Sequence, residues 1–517
     1  MVKKYTYIDY ISGVPGLGKT RWALNQMEEA VIEKNKIVFY VAPTIALCEQ
    51  VKKDLIKKLI KRGVSKKEAK RRTIIINSSN REDSKGTVAS YVKAAFNGTK
   101  DADGVYYGEI EVGCAIFLTH DGFYRLTNEV PNDYFRKRIH VIFDEAKKSI
   151  MEANPIQLSM TAAEKFKTLF KAEPYKDTAY GRLSISKDFS KTLFKEVLLG
   201  IETRRHKNRM SALLTDVQNP RMEVYITQPK LEKIKSRDRS VKLYEVRIPA
   251  KAFFNYAQVT VMSAFFTDSQ MFYLLKSDPL VRLRDITNTL DDVRERELQI
   301  KKRYLRARII PLTNNTRVLS KNQLKSFLVP KHRIPDLEKE FLDLEIDVSA
   351  LKLLNIYLRE GKTPKEKDNI YRAIKLVKRD DYSAIPIKWY FRSAQRIIKQ
   401  WKINRKLKEK PLLFINKDKE KYLSRKEVSE EFTLVTTSSN GLNHYRESSV
   451  VAFLSAINPT PTLSRFLTAR VGNEYDVNRD FVLDVAMQCL GRCSIREADS
   501  TDDVLLILAN STLAEMV

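Results

Sequence analysis

Short runs in which nearly every residue is apolar recur along the chain, and they predict its main strands. An unbroken apolar run of this length is typical of a strand buried on both faces of a parallel sheet. The first run is followed by a loop and by a helix whose apolar positions, from Trp22 to Val31, recur at helical spacing. The pattern therefore predicts an α/β protein. The runs are Tyr5–Ser12, Cys114–Leu118, Arg138–Asp144, Val259–Ala264, Pro411–Asn416 and Val450–Ile457.

The loop between the first strand and the first helix reads GVPGLGKT. Its glycines, Gly13, Gly16 and Gly18, allow backbone N–H groups to turn toward a triphosphate, and the helix N-terminus adds a positive dipole. Lys19 can reach the β- and γ-phosphates, and the Thr20 hydroxyl can bind Mg²⁺. The loop alone predicts only a site for a nucleoside triphosphate with Mg²⁺, because kinases, motors and transporters all share it.

A second candidate site lies where the Arg138–Asp144 strand ends in two carboxylates. Asp144 would hold Mg²⁺, directly or through water, and Glu145 would act as the general base that polarises the attacking water. The alternative is that the two acids only cap the helix that follows. The phosphate loop upstream favours the catalytic interpretation.

Two further segments carry a threonine in the turn after an apolar strand. The first reads APTIALCEQ from Ala42, with Thr44 in the turn, and the second reads THDGF from Thr119. With the phosphate loop and the D-E-A-K sequence from Asp144, they resemble motifs of superfamily 2 (DEAD/DEAH-like) helicases. The resemblance implies two RecA-like lobes with ATP between them, and contacts from Thr44 and Thr119 to the phosphates of one nucleic-acid strand.

Ser263-Ala264-Phe265 resembles the S-A-T motif III of that family, with phenylalanine in place of threonine. In the family, the threonine hydroxyl couples the state of the bound ATP to the binding of the nucleic-acid strand. The replacement leaves open how this chain makes that link.

The C-terminal part resembles two more motifs. Residues 435–443 resemble motif V, which implies a nucleic-acid contact at Gly441. The sequence QCLGRCSIR resembles motif VI, and it implies catalytic roles for Gln488, Arg492 and Arg496. The two arginines are four residues apart, so they are expected on one helical face. Either one can be the arginine finger for the γ-phosphate, because the second arginine comes one position later than usual.

Composition and charge narrow the class of partner. The 517 residues carry 93 basic and 64 acidic side chains, and a net charge of +29 favours a polyanion such as nucleic acid. Four cysteines cannot form a disulfide framework and show no metal-ligand spacing, which predicts buried thiols in a reducing compartment. No apolar run is long enough to span a membrane. We expect a cytoplasmic protein without a membrane partner, in the host cytoplasm if a phage encodes it.

The spacing of the motifs predicts four parts. Residues 1–150 and 251–300 form the first RecA-like lobe, and residues 151–250 form an α+β insertion in it. Residues 301–317 and 411–517 form the second lobe, which carries a basic helical insertion at residues 318–410. The first insertion contains a basic run, Arg204–Arg209, which fits either phosphate contacts or a solvated helix end.

The basic insertion ends in an amphipathic helix with eight basic residues and one acid between Arg392 and Lys410. Such a helix can lie on a phosphate backbone or on an acidic membrane surface, and the surrounding motor favours nucleic acid. Trp401 can stack on an unpaired base or belong to the core. The candidate phosphate contacts are Arg396, Lys399, Lys402 and Lys406.

These patterns together predict an ATP-dependent helicase or translocase. DNA is favoured over RNA, with a role in replication or recombination and with replication proteins as partners. The motifs of this chain match the family patterns loosely, and in this they are most similar to the motifs of helicases from phages and other mobile elements. The alternatives are a viral DNA-packaging motor and a DNA-binding initiator that uses ATP only as a switch.

Overall fold

The computed structural model describes residues 5–76, 88–100, 104, 110–126, 133–145, 149–153, 156–176, 178–227, 240–290, 293–313, 379–403, 405, 407, 409–437, 445–497 and 499–517. The chain divides into two units. The first contains Met1–Gly13, Gly18–Val293 and Thr460–Val477. The second contains Val14–Leu17, Arg294–Pro459 and Asn478–Val517.

Strands and helices alternate through most of the described chain. The strands are β1 (Thr6–Gly13), β2 (Ile37–Ala42), β3 (Thr73–Ile75), β4 (Ala115–Thr119), β5 (Ile139–Asp144), β6 (Ile150–Glu152), β7 (Ile156–Gln157), β8 (Phe170–Pro174), β9 (Gly181–Ile185), β10 (Met222–Ile226), β11 (Ser240–Val241), β12 (Leu243–Arg247), β13 (Gln258–Ala264), β14 (Val281–Asp285), β15 (Arg308–Pro311), β16 (Leu412–Phe414), β17 (Thr433–Val435), β18 (Val450–Phe453) and β19 (Leu505–Leu508).

The helices in the described residues are α1 (Lys19–Glu33), α2 (Ile45–Lys61), α3 (Lys66–Arg71), α4 (Val88–Phe96), α5 (His120–Tyr124), α6 (Asp133–Arg136), α7 (Met160–Leu169), α8 (Lys191–Leu199), α9 (Arg204–Gln218), α10 (Pro249–Phe253), α11 (Gln270–Lys276), α12 (Val293–Arg306), α13 (Arg379–Lys402), α14 (Arg425–Glu431), α15 (Pro461–Val471), α16 (Asp484–Leu490) and α17 (Ser511–Met516). Side-chain oxygens cap many of their N-termini by accepting a bond from a backbone N–H in the first turn. These capping residues include Thr44, Ser65, Thr119, Ser159, Ser190, Thr203, Ser269, Ser424, Thr460 and Asn510.

The core of the first unit is a parallel sheet of seven described strands, in the order β14-β1-β13-β5-β2-β4-β3. All six residues of β2 and all six of β5 are buried, as expected for strands covered on both faces. All their carboxyl ends meet at one edge of the sheet, where parallel α/β folds bind their ligands.

An accessory domain interrupts this sheet between β5 and β13. It contains a five-stranded antiparallel sheet, β6-β12-β10-β9-β8, with α7, α8 and α9 packed on it around a core that includes Phe166, Leu213 and Val224. The alternation of helical and strand-like patterns in the sequence therefore corresponds to an α+β insertion.

The second unit is built on a parallel sheet of five described strands, β15-β19-β18-β16-β17. Its core includes Leu413, Ala452 and Ile507 from the strands and Phe391 and Ile398 from α13. The prediction of an α/β fold with RecA-like parallel-sheet lobes is confirmed. Residues 318–378 of the predicted helical insertion lie outside the described residues.

One segment differs from the domain boundaries expected from sequence. Residues 460–477 follow β18, a strand of the second unit, yet they pack in the first unit. Phe466 of α15 lies among three tyrosines of the accessory domain, Tyr180, Tyr225 and Tyr244. Apolar residues at 3.6 spacing predict that a helix buries one face, but they do not say against which sheet.

All four cysteines are buried and free, as the sequence predicts. Burial raises the pKa of the Cys48 thiol to about 12, so it stays protonated. Among the described residues, no helix has the length and apolar character needed to cross a membrane.

Candidate active site

The phosphate loop connects the carboxyl end of β1 to the first residue of α1. Gly16 and Gly18 have φ values of +95° and +93°, a conformation that glycine adopts without steric cost. Gly18 is also the N-cap of α1, so the free N–H groups of the first turn face the loop. The Lys19 ammonium donates a hydrogen bond to the Gly13 carbonyl oxygen at 3.2 Å.

Asp144 is the last residue of β5, and its side chain is buried. The Tyr40 hydroxyl of β2 donates a hydrogen bond to its Oδ2. Burial raises the pKa of Asp144, although the Tyr40 hydrogen bond and the Lys19 charge act in the opposite direction. Burial and the neighbouring Asp144 charge raise the pKa of Tyr40 well above its usual value, so Tyr40 remains a donor.

The oxygen donors near the loop suit a magnesium ion. A nearby divalent cation stabilises the charged form of a desolvated carboxylate such as Asp144. Mg²⁺ prefers one or two protein oxygens together with phosphate oxygens and water. The Asp144 carboxylate and the exposed Thr20 hydroxyl fit that description, and they would be its protein ligands.

Glu145 and Phe265 follow the ends of the neighbouring strands β5 and β13, and both have left-handed backbone conformations. Their φ values are +52° and +50°, and the strands pair with Asp144 opposite Met262. Non-glycine residues rarely adopt this conformation, and they cluster at functional sites when the surrounding packing enforces it. Two such residues at the carboxyl ends of adjacent strands distinguish this edge of the sheet as a candidate functional site.

Thr44 and Thr119, the predicted phosphate contacts, lie at the carboxyl ends of the neighbouring strands β2 and β4. Thr119 is the last residue of β4 and pairs with Ala42, and Thr44 comes two residues after Ala42. Each threonine oxygen accepts a hydrogen bond from a backbone N–H, Thr44 from Leu47 at 3.2 Å and Thr119 from Gly122 at 3.1 Å. Each hydroxyl still carries a hydrogen that can be donated to a phosphate oxygen. Local capping and phosphate contact are therefore compatible roles.

Two residues of this site were missed by the sequence reasoning. Tyr40 binds the Asp144 carboxylate, and the Nε2 atom of His120 lies 2.8 Å from the Asp144 carbonyl oxygen. Tyr40 looks like one more apolar member of the run IVFYVA, and His120 lies in a motif noted for its threonine. A hydroxyl within a fully buried strand was the one available signal, because a buried hydroxyl needs a partner.

In the second unit, Gln488 lies on α16, and its amide nitrogen donates to both oxygens of Asp484 at 3.1 Å. The expectation that Arg492 and Arg496 share one helical face is wrong. The helix α16 ends at Leu490 with Gly491 as its C-cap, and Arg496 belongs to a separate 3-10 turn. A Cβ at Gly491 would lie 3.0 Å from the Met487 carbonyl oxygen, so the close packing of the chain at this point favours glycine.

The segment after α16 is held by an arginine that has no motif signature. Arg303 of α12 donates hydrogen bonds to the carbonyl oxygens of Ser494, Ser500 and Asp502, at 3.1 Å from Ser494 and 2.9 Å from Asp502. Burial lowers the pKa of Arg496, and the Arg446 charge adds to that effect. Arg492 is buried. Both motif VI arginines thus sit in desolvated surroundings, in which an anionic partner is favoured.

The basic helix predicted before β16 is α13. Arg396, Lys399 and Lys402 are exposed on it, whereas Arg392 pairs with Glu427 at 2.9 Å. Trp401 is buried in the core of the second unit, with the Arg405 guanidinium 3.8 Å above its ring. The base-stacking alternative for Trp401 is therefore wrong, because its ring completes the packing of α13. Lys406 and Gly441 lie outside the described residues.

The basic run of the accessory domain forms the first turns of α9. Arg204 and Arg205 are exposed, and Arg209 pairs with Glu245 of β12. Part of this run thus stabilises its own domain, and the two exposed arginines remain available to an anion.

Comparison with known proteins relates the first unit to a protein family. Residues 3–173 match the family model described as "Type III restriction enzyme, res subunit" (ResIII), a domain of the DEAD/DEAH-like superfamily 2 helicases. No curated protein matches the chain. The matched range contains the phosphate loop, Thr44, Thr119 and the Asp144–Glu145 pair. Residues 3–173 are therefore similar to the phosphate-loop ATPase domain of a family of helicases and translocases.

Proposed function

We propose that the protein is an ATP-dependent motor that translocates along DNA or unwinds it, in replication or recombination. One observation carries this proposal: a single edge of the first parallel sheet holds the phosphate loop, the Asp144–Glu145 pair and the two threonines that the family places on nucleic acid. Parallel α/β folds bind ligands at this edge.

In this proposal the residues of the first unit share the work of ATP hydrolysis. Lys19 exchanges the Gly13 carbonyl for the β- and γ-phosphates, because charged oxygens are stronger acceptors. Thr20 and Asp144 would hold Mg²⁺, which would neutralise charge on the phosphates. Tyr40 fixes the Asp144 carboxylate, and Glu145 orients and deprotonates the attacking water.

The roles in the second unit come from the resemblance. Gln488, Arg492 and Arg496 are proposed to contact the γ-phosphate and the attacking water. Arginine suits that role because its planar guanidinium binds phosphate through two parallel bonds.

Nucleic acid is proposed to contact Thr44 and Thr119 through its phosphates, with Gly441 from motif V. The exposed face of α13, formed by Arg396, Lys399 and Lys402, is proposed as a further phosphate contact, together with Lys406. Phosphate contacts of this kind carry affinity without reading sequence. We therefore expect binding with little sequence preference.

The proposal is tested by the rate of ATP hydrolysis with no nucleic acid, with single-stranded DNA, duplex DNA, forked DNA and single-stranded RNA. We expect stimulation by DNA and a weaker effect of RNA. Lys19→Ala should abolish hydrolysis, and the exposed Lys53→Ala serves as its control. Hydrolysis that no nucleic acid stimulates would contradict a motor, and stronger stimulation by RNA would overturn the choice of DNA.

The two alternatives make different predictions in the same assays. A DNA-binding initiator that uses ATP as a switch would bind ATP and DNA without repeated turnover. A packaging motor would need a nuclease activity in addition to the ATPase. Multiple turnovers per protein, without cleavage of the DNA, are expected for the proposed motor.

A further inference from the structure

His120 connects two parts of the first unit that the motifs treat separately. Its side chain is fully buried, and its Nε2 atom lies 2.8 Å from the carbonyl oxygen of Asp144. A carbonyl oxygen only accepts, so Nε2 carries the hydrogen and donates it. The ring also stacks on Phe143, with 4.2 Å between centroids and 9° between planes. The His120 side chain therefore contacts both of the last two residues of β5.

This contact crosses a whole strand. His120 directly follows β4, and β2 lies between β4 and β5 in the sheet. At about 4.8 Å per strand, the imidazole bridges roughly 10 Å over the end of β2. The intervening strand contributes Tyr40, which holds the Asp144 carboxylate. Tyr40 of β2 and His120, the residue directly after β4, thus both bond to Asp144.

The segment that carries His120 is held firmly on its other side. Asp121 pairs with Arg247 of β12. The carbonyl oxygens of Phe123 and Tyr124 accept hydrogen bonds from Arg221 and Asn219 at 3.2 and 3.1 Å. These contacts restrain α5, so a displacement at Thr119 would be passed to Asp144 through His120.

The motif that performs this coupling in the family is altered here. Phe265 replaces the threonine of motif III and has no hydroxyl. The Ser263 hydroxyl donates to the neighbouring Ala264 carbonyl at 3.2 Å. The coupling between ATP state and nucleic acid therefore needs another route on this edge of the sheet.

We propose that His120 is a positioning residue that couples nucleic acid at Thr119 to the placement of Asp144 and Glu145, through its bond to the Asp144 carbonyl. This assignment rests on the proposed function. Nucleic acid bound at Thr119 shifts the position of His120, and His120 in turn fixes the position of the carboxyl end of β5. By linkage, the factor by which bound nucleic acid strengthens ATP binding equals the factor by which bound ATP strengthens nucleic-acid binding.

The test measures that factor directly, in the full chain. The dissociation constant of a labelled oligonucleotide, of the kind that best stimulates hydrolysis, is measured with and without Mg²⁺ and a non-hydrolysable ATP analogue. The ratio of the two constants is the coupling factor, and values of about 5 to 150 are usual. The variants are His120→Leu, which fills the space without a donor, and His120→Gln, whose amide can reach the same carbonyl.

A second buried histidine offers a matched control. His140 lies at the other end of β5, is equally buried, and bonds to the Thr260 hydroxyl at 2.9 Å. His140→Leu removes a buried imidazole from the same strand without touching Asp144. A general loss of packing would affect both leucine variants alike.

We expect His120→Leu to reduce the coupling factor at least roughly fivefold, toward one. His120→Gln and His140→Leu should keep it close to the parental value. Basal hydrolysis should fall less than stimulated hydrolysis. An unchanged factor in a folded His120→Leu variant would overturn the role of His120.

Should His120→Leu fail to fold, His120→Asn replaces it, because its shorter amide stays polar but does not reach the carbonyl. A lower factor in His120→Asn than in His120→Gln supports the proposal, and equal factors overturn it. A parental chain that binds no nucleic acid overturns the proposed function itself. A parental factor of one with normal binding overturns only the coupling.

Discussion

Glu145 combines a catalytic assignment with an unusual backbone conformation. A left-handed conformation at a non-glycine residue costs about 1–3 kcal/mol and persists only where the surroundings enforce it. The bond from His120 to the preceding carbonyl and the buried β5 strand provide such surroundings. The strain re-aims the side chain away from the direction it would have in a continued strand.

Glu145→Gln is expected to slow ATP hydrolysis by about 10²–10⁴-fold, because the amide keeps the shape but cannot accept a proton. ATP binding should persist, and nucleic acid should dissociate more slowly in the presence of ATP. Turnover and binding of a fluorescent ATP analogue are measured side by side. The exposed Glu164→Gln serves as control, and turnover near the parental rate in Glu145→Gln would remove it from the catalytic set.

Asp216 of α9 is a second residue whose setting has a measurable consequence. Burial, followed by the neighbouring Glu245 charge, raises its pKa to about 6. Its folded pKa therefore lies above the usual unfolded value near 3.9. Above about pH 6 the carboxylate is charged in surroundings that disfavour the charge. The folded state gains relative stability as the pH falls from 6 to about 4, where the folded form binds more protons.

Asp216→Asn should therefore be more stable than the parent above pH 6, by at most about 3 kcal/mol, and the difference should vanish near pH 4. Thermal unfolding at several pH values measures this difference. Asp188→Asn, on the surface of the same domain, is the control. A difference that stays constant with pH would show that the effect of Asp216 is steric and not ionic.

The helix α15 is an element whose sequence neighbours and spatial neighbours differ. Phe466 is fully buried, with ring centroids 4.7, 5.1 and 4.9 Å from those of Tyr180, Tyr225 and Tyr244. Arg470 pairs with Glu223 at 3.0 Å, and Tyr225 donates to the same carboxylate at 2.9 Å. This mixed apolar and ionic contact joins residues almost 250 positions apart, so it depends entirely on tertiary packing.

Phe466→Ala is expected to destabilise this attachment by about 3–5 kcal/mol, because it leaves a cavity among three rings. Limited proteolysis should then cut within residues 461–471 at protease concentrations that leave the parent intact. Leu199→Ala, at a residue 78% exposed, is the control and should resemble the parent. Equal resistance of Phe466→Ala and the parent would mean that other contacts hold α15.

The whole molecule is strongly basic, and its net charge of +29 favours nucleic acid before any specific contact forms. Net charge and a defined contact have different signatures. Long-range attraction changes the association rate, whereas phosphate contacts that release counterions set the slope of log K against log salt. Substitutions on the exposed face of α13 allow the effect of net charge to be distinguished from the effect of phosphate contacts.

Replacement of Arg396, Lys399 and Lys402 by Gln is expected to flatten that slope by up to about 2–3 units, at about 0.9 per duplex contact or about 0.7 on a single strand. Basal hydrolysis should survive, because the ATP residues lie elsewhere in the sequence. Lys53, Lys57 and Lys61, exposed along α2, provide a control with the same change of charge. If both triple variants change the slope equally, α13 acts only through net charge.

Much of the active site could be predicted from sequence because its parts are local. The phosphate loop needs a strand, a glycine-rich turn and a helix in succession, and Thr44 and Thr119 each follow a buried strand and cap the next helix. Unbroken apolar runs likewise predict the parallel strands, because burial on both faces excludes polar residues. Each of these requirements is met within one continuous stretch of the chain.

Contacts between distant parts of the chain could not be predicted in the same way. Tyr40 meets Asp144 across 104 positions, and Phe466 meets Tyr225 across more than twice that distance. The helix α16 ends at Leu490, before both Arg492 and Arg496, and their four-residue spacing alone does not show where the helix ends. Strand order decides which side chains face one another, and a one-dimensional pattern does not contain it. The candidate catalytic residues could therefore be predicted from the sequence. The bonds from Tyr40 and His120 that position Asp144 form only when β2, β4 and β5 lie side by side in the folded sheet.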